Sequence, residues 1–314
     1  MTTVVSGVVA LLLLWLALWT VIARDAFLAV AGFVVYGLLL SLVWVRLAGI
    51  DVALTEAAIG GGLTGALLLG AVGRLRGTEA ATAAERPGPG LRALAALLAL
   101  AVTAALMLAV LSLPDPAPTL APLVVPNLQS TGVGNPITGV LLAFRALDTL
   151  LEAIVLVIGL IGVWSLAPDH AWGGRPGLRY QADPDGILAY LARVLPPIGI
   201  VIGLYLFWAG ADHPGGKFQS ATILAAMWML VQMAGLSDTP RSDSGWLRLG
   251  IVVGPLAFVA VGVFGIPAAG AFLAYPEGWA KPLILLIEVA LLPTLVLVLA
   301  LLMNGPPSRH GDAR

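Results

Sequence analysis

GIDVALTEAAIGGGLTGALLLGAVG, residues 49–73, is an apolar run long enough to cross a bilayer, yet it carries Asp51 and Glu56. A span needs about 20 apolar residues. A carboxylate near the bilayer centre costs at least ~2.5 kcal/mol, so such a residue marks a pathway or a buried partner. The rest of the chain decides whether lipid is the solvent. Of 314 residues, 60% are hydrophobic and 11% are charged, and the mean hydropathy is +1.00. Soluble domains carry roughly 25% charge. Only helices or closed barrels cross lipid, and these runs are too long for barrel strands. The sequence therefore predicts an all-α integral membrane protein.

Nine transmembrane helices are expected, at about 4–22, 26–46, 51–73, 92–113, 146–167, 189–209, 218–236, 247–265 and 281–303. The first, MTTVVSGVVALLLLWLALWT, lacks the basic start and small-residue cleavage site of a signal peptide. Arginine and lysine set the orientation. With the connection at 74–92 in the cytoplasm, twelve of the sixteen basic residues fall inside, and Arg46, Arg145, Lys217 and Lys281 fall outside. This gives an N-terminus out and a C-terminus in. Two Pro- and Gly-rich cytoplasmic linkers, 77–90 and 168–187, divide the chain into a three-helix module (1–76), a two-helix module with a long outer loop (91–167) and a four-helix module (188–304).

Several chemistries are excluded. There is no cysteine, so no disulfide, iron–sulfur or thiolate-metal site exists. His170, His213 and His310 have no metal-ligand spacing. A net charge of −1 argues against a nucleic-acid partner. No phosphate loop, nucleophile elbow or triad pattern is present, and no catalytic residue or resident cofactor is expected.

The acidic residues agree in depth. At ~1.5 Å per residue, Glu56 lies roughly 7.5 Å below Asp51, Glu152 roughly 7.5 Å below the entry of the fifth span, and Glu288 about 10 Å below Lys281. All three spans run from outside to inside, so the carboxylates share one outer-half layer. Arg145, Asp148 and Glu152 stand at i, i+3 and i+7 on one helix face, with Thr149 adjacent. Arg145 is expected to pair with Asp148 and leave Glu152 available. Asp51 and Glu56 lie about 140° apart and do not share a face; Asp51 suits an N-cap. Lys281 is the basic group expected beside Glu288, seven residues on. Gly60, Gly61, Gly62, Gly65 and Gly70 fit close helix approach or a local helix irregularity beside Glu56. In GADHPGGKFQ (210–219), His213 could titrate near neutral pH and Lys217 could neutralise a nearby carboxylate.

These stretches carry a resemblance. DVALTEAAIGGGLTGALLL (51–69) resembles the small three-helix domain near the C-terminus of the Mrp antiporter A subunit. That domain is also a separate small subunit in related membrane-bound hydrogenases. NPITGVLLAFRALDTLLEAIVLVIGLIGV (135–163) resembles the two-helix domain that follows it, whose long helix carries a run like FRxxDTLxE. Residues 188–304 resemble the Mrp B subunit, known by a Gly-His…Pro-Gly-Gly-Gly-Phe turn. Here the turn reads GADHPGGKF, with Lys217 at the third glycine and His213 displaced.

The resemblance implies a membrane-arm subunit of a multisubunit sodium/proton antiporter in a bacterial or archaeal plasma membrane. It would sit beside large complex-I-like antiporter subunits and small Mrp-type membrane subunits. Glu56 and Glu152 would exchange a proton or transiently hold sodium, with Asp148, Glu288 and Asp51 in the same path. Arg145, Thr149, His213 and Lys217 would support them. Two alternatives stay open: an ion-translocating subunit of a redox-driven relative, with hydrogenase or iron–sulfur partners, and a structural spacer between antiporter-like subunits.

Overall fold

A computed structural model describes residues 2–82, 88–116, 118–177 and 182–308, with side chains from residue 4 and none over 76–82. Parts of both predicted linkers, and Arg86, Arg179, Arg309 and Arg314 with the side chain of Arg76 among the basic residues that set the orientation, fall outside what is described.

The chain is helical almost throughout. Helices α1 (Thr2–Ile22) and α2 (Ala26–Arg46) form a hairpin. Asp25 caps α2, its carboxylate accepting from the Leu28 N–H at 3.0 Å. Next comes α3 (Ile50–Thr55), which runs through a π-helical segment (Glu56–Leu63) into α4 (Thr64–Thr82). The π segment is the irregularity the glycine run allowed for, and close approach holds as well. A Cβ on Gly37 of α2 would lie 3.1 Å from the backbone of Gly61. The small residues thus let α2 and the wider π turn touch backbone to backbone.

Helix α5 (Pro89–Leu111) starts on a proline, whose missing N–H costs nothing in a first turn. After α6 (Ala121–Thr131), α7 (Pro136–Gly139) continues as a second π segment (Val140–Phe144). The backbone breaks at Arg145 (φ −132°, ψ 39°), and α8 (Ala146–Trp164) follows. The last module holds α9 (Ile187–Ala209), α10 (Lys217–Met233), α11 (Gly245–Ala269) and α12 (Ala280–Asn304).

Eight of the described helices are long and apolar enough to cross a membrane. They match eight of the nine expected spans. The other, expected over 218–236, folds as the 17 residues of α10, about 25 Å long. It still runs the depth of the bundle. Lys217 at its start meets Glu288 of α12, and Gln232 near its end accepts a hydrogen bond from Asn304 at 2.9 Å. Hence α10 and α12 run parallel.

Helix α12 is the centre of the molecule. Half of its most apolar stretch is buried, against none for α1 and α5. It packs against α8, α10 and α11, with Ile284, Ile287, Leu291 and Leu295 in the core. Thr294 ties α11 to it, donating to the Gly250 carbonyl at 2.7 Å and accepting from the Gly254 N–H at 3.0 Å. At the end away from Lys281, β1 (Arg175–Pro176) pairs antiparallel with β2 (Pro307–Ser308). Arg175 also reaches Asp238 at 2.7 Å. The described start of the predicted linker 168–187 is therefore stitched to the four-helix module.

Candidate functional site

At the predicted outer end, a cavity of about 270 Å³ lies between α3, α8, α10 and α12. Its polar wall is Asp51, Thr55, Glu152, Lys217, Gln219 and Glu288; Ile59, Leu141, Leu142 and Phe218 supply apolar wall. That volume has room for several water molecules.

Lys217 is the first residue of α10 and lies against a glycine turn. Gly215 and Gly216 have φ of 147° and 133°, a region open to residues without a Cβ. The turn folds the chain back on itself, the Gly216 N–H bonding to the Leu206 carbonyl at 2.9 Å. Lys217 is thereby turned inward and is buried, its Nζ 3.9 Å from Glu288 Oε1. At an effective dielectric of ~20, that separation gives about 4 kcal/mol of gross attraction, which the desolvation of both groups opposes. The ammonium also stands 5.5 Å from the Phe218 ring centroid. Glu152 faces the same cavity from its open side and interacts electrostatically with Lys217.

The partner expected for Glu288 is thus corrected. Lys281 turns outward and forms a two-pronged bridge to Asp212, both contacts 2.9 Å. Seven residues bring two side chains back to one helix face but leave them two turns apart. A basic residue from another helix is nearer. The Lys281 hydrogen bonds, with help from the Gly134 N–H, hold the Asp212 carboxyl below its usual 3.8. A lowered carboxylate pKa adds stability above that usual value, and the gain is lost as pH falls through the folded value. The pair is partly exposed (36% and 48%), so screening limits it. Lys281→Met is expected to cost less than ~1 kcal/mol, with the difference from wild type lost in melts as the pH falls through the folded value of Asp212.

Asp51 also departs from expectation. Gly49 occupies the N-cap of α3, and the Asp51 carboxylate caps nothing in its own helix. It accepts instead from the Gly215 N–H at 3.0 Å and from Asn135 Nδ2 at 3.2 Å. Asn135 caps α7, accepting from the Ile137 N–H at 2.9 Å. Its amide also donates to the carbonyls of Gly210 at 3.2 Å and His213 at 3.0 Å. Gln219 reaches the Asp51 carbonyl at 3.3 Å and Thr55 Oγ1 at 2.9 Å. Three parts of the chain meet here through backbone-directed bonds, with Asp51 and Asn135 at the junction.

Glu56 is not among them. It lies in the π segment on the face toward α2, where Gly37 and Gly60 make room for its carboxylate, and it does not line the cavity. Asp51, Thr55 and Ile59 share the cavity face at helical spacing, and Glu56 is off it. His213 contributes its carbonyl, while its ring is exposed. Arg145 and Asp148 pair as expected at 2.5 Å, both exposed. Thr149 donates to the Leu141 carbonyl at 2.6 Å, and Tyr275 to the Leu142 carbonyl at 2.6 Å. These bonds satisfy acceptors that the break at Arg145 frees. Burial, with the Glu288 charge, raises the Tyr275 pKa, so its hydroxyl remains a donor.

Sequence reasoning missed Asn135, Gln219 and Tyr275. Asn135 had a local signal, since Asn before Pro is a helix start. Gln219 and Tyr275 had none beyond polarity inside or beside an apolar run.

Residues 11–77 match the MbhD family, described as the D subunit of MBH. Residues 187–305 match a domain related to the MnhB subunit of a Na+/H+ antiporter. An uncharacterized protein of Methanocaldococcus jannaschii is 25% identical over 156 residues, covering 45% of this chain and 60% of its own length. In the structure of the Mrp complex from Dietzia sp. DQ12-45-1b, one chain superposes with a TM-score of 0.71 at 24% identity. The match covers 98% of this chain and 35% of that one. A chain of the membrane-bound sulfane sulfur reductase, an archaeal respiratory membrane complex, gives 0.53 at 22% identity over 68% of this chain and 98% of its own length. These superpositions show a shared fold.

Proposed function

We propose that this chain, an MbhD-type region joined to an MnhB-related domain, is a membrane-arm subunit of an Mrp-type cation/proton antiporter. The observation that carries the reading is the cavity at the predicted outer end, which Asp51, Glu152, Glu288 and Lys217 line together. A transmembrane segment holding a carboxylate is costly in lipid, and a buried opposite charge with room for water makes it usable for proton transfer. Glu152 on the open side takes or releases the ion, and Glu288 is the inner acceptor. Asp51 fixes the turn that presents Lys217. Arg145 and Asp148 hold the head of α8, and Glu56 acts apart from the cavity, against α2. The partners are large complex-I-like antiporter subunits and small Mrp-type subunits in the plasma membrane. Helix α5, and the face of α1 away from α2, leave apolar surface exposed for those partners or for lipid. The chain supplies a transport path and no catalytic centre.

A second reading, an ion-translocating subunit of a redox-driven relative, is favoured by the MbhD match over residues 11–77. Both readings make the same demand on the cavity. In the assembled complex, Glu152→Gln and Glu288→Gln are each expected to lower cation-dependent proton transport in proteoliposomes by about 10²-fold. The amount of complex recovered should not change for Glu152→Gln, whose side chain is exposed; transport by Glu288→Gln is compared per amount of complex recovered. Normal transport in both variants sinks the ion-path assignment and leaves a spacer. Hydrogenase or iron–sulfur proteins in the purified complex select the redox-driven reading.

A further inference from the structure

Lys217 lines the cavity together with Glu152 and Glu288. Its side chain is 5% exposed and that of Glu288 is 3% exposed. Nζ makes no hydrogen bond among the described residues, and its 3.9 Å approach to Glu288 is beyond hydrogen-bond range. The ammonium therefore faces the cavity with donors to spare. Glu288 on α12 and Glu152 on α8 act on it electrostatically, and Asp51 on α3 lines the same cavity. A metal cation among the same carboxylates would lie beside a buried like charge that salt does not screen.

We propose that Lys217 is a tethered counter-cation: it excludes sodium and other monovalent metal ions, so that this cavity passes protons alone. The inference rests on the transport reading above and names the ion the site handles. The transfer balances. Lys217 gives a proton to one glutamate and takes one from the other, directly or through cavity water. It ends as it began, and one proton has moved between Glu152 and Glu288. No metal ion enters or leaves.

The test uses the full chain purified in detergent. It is melted in sodium chloride and in choline chloride at equal ionic strength, and equilibrium binding of radiolabelled sodium is measured beside the melts. Wild type is expected to bind no sodium saturably and to melt alike in the two salts. Lys217→Met removes the ammonium and leaves the carboxylates. It is expected to bind one sodium ion per chain and to melt higher in sodium, since a ligand that binds only the folded state stabilises it. Adding Glu288→Gln should abolish both effects, and Lys217→Arg should behave as wild type. Saturable sodium binding by wild type overturns the proposal whether or not Lys217→Met folds. So does a folded Lys217→Met chain that binds none.

The transport reading fails separately. If the sodium results come out as expected while Glu152→Gln and Glu288→Gln transport normally, only that reading falls. If transport is lost in those variants and wild type binds sodium, only the role of Lys217 falls.

Discussion

Glu288→Leu is expected to destabilise the full chain by about 3–5 kcal/mol, and adding Lys217→Met is expected to return most of that loss. The reason is asymmetric. Both side chains of the pair are buried. Removing one partner leaves the other charge in a low-dielectric interior with nothing to offset its lost hydration. Removing both leaves two apolar side chains, and such exchanges are often neutral or better. The measurement is a double-mutant cycle on thermal and denaturant melts in one detergent. Additive effects would show that the two groups do not interact across 3.9 Å, and the mechanism built on their contact would go with them.

Asn135→Ala is expected to cost about 2–4 kcal/mol, combining a lost helix cap of ~1 kcal/mol with buried groups left unsatisfied at ~1–3 kcal/mol. Asn135 is 3% exposed, and its amide serves Asp51, Gly210 and His213 while its oxygen caps α7. Asn135→Asp separates these roles. The cap survives, but a second carboxylate now faces Asp51. At neutral pH it should be less stable than Asn135→Ala, and it should recover as the pH is lowered and the new carboxyl is protonated. If Asn135→Asp matches wild type at neutral pH, the bond to Asp51 contributes little.

Much of the architecture was legible in the sequence because lipid imposes a simple rule on it. An apolar run of the right length is a span, and eight of nine runs became helices of that length. The other fell short at its far end, because α10 stops at Met233 and the chain turns through Gly235, whose φ is 69°. That Asp51, Glu152, Glu288 and Lys217 lie at one level was legible too, since ionisable groups in such a chain are few; that Glu56 faces away from them was not. Their pairing was not. Local spacing offered Lys281 to Glu288 and a capping role to Asp51, and both preferences lost to groups far away in sequence. A helical period says which residues share a face of one helix. It carries no information on which other helix that face will meet. The glycine run beside Glu56 was ambiguous for a related reason: small residues permit both close packing and a π turn, and here α2 uses them for both.

The bond between the Asp51 carboxylate and the Gly215 N–H joins residues 164 positions apart. At ~5–20 residues per second of synthesis, Asp51 emerges on the order of 10–30 s before its partner exists. Asn135, 84 positions on, arrives about midway. Until Asn135 arrives the carboxylate has no donor from the later modules, and water at the bilayer surface serves in its place. The third span can hold Asp51 at the headgroups over that time, because the residue lies at the predicted outer end of its helix. A stalled or truncated ribosome product would expose that unsatisfied acid to the machinery that removes unassembled membrane proteins.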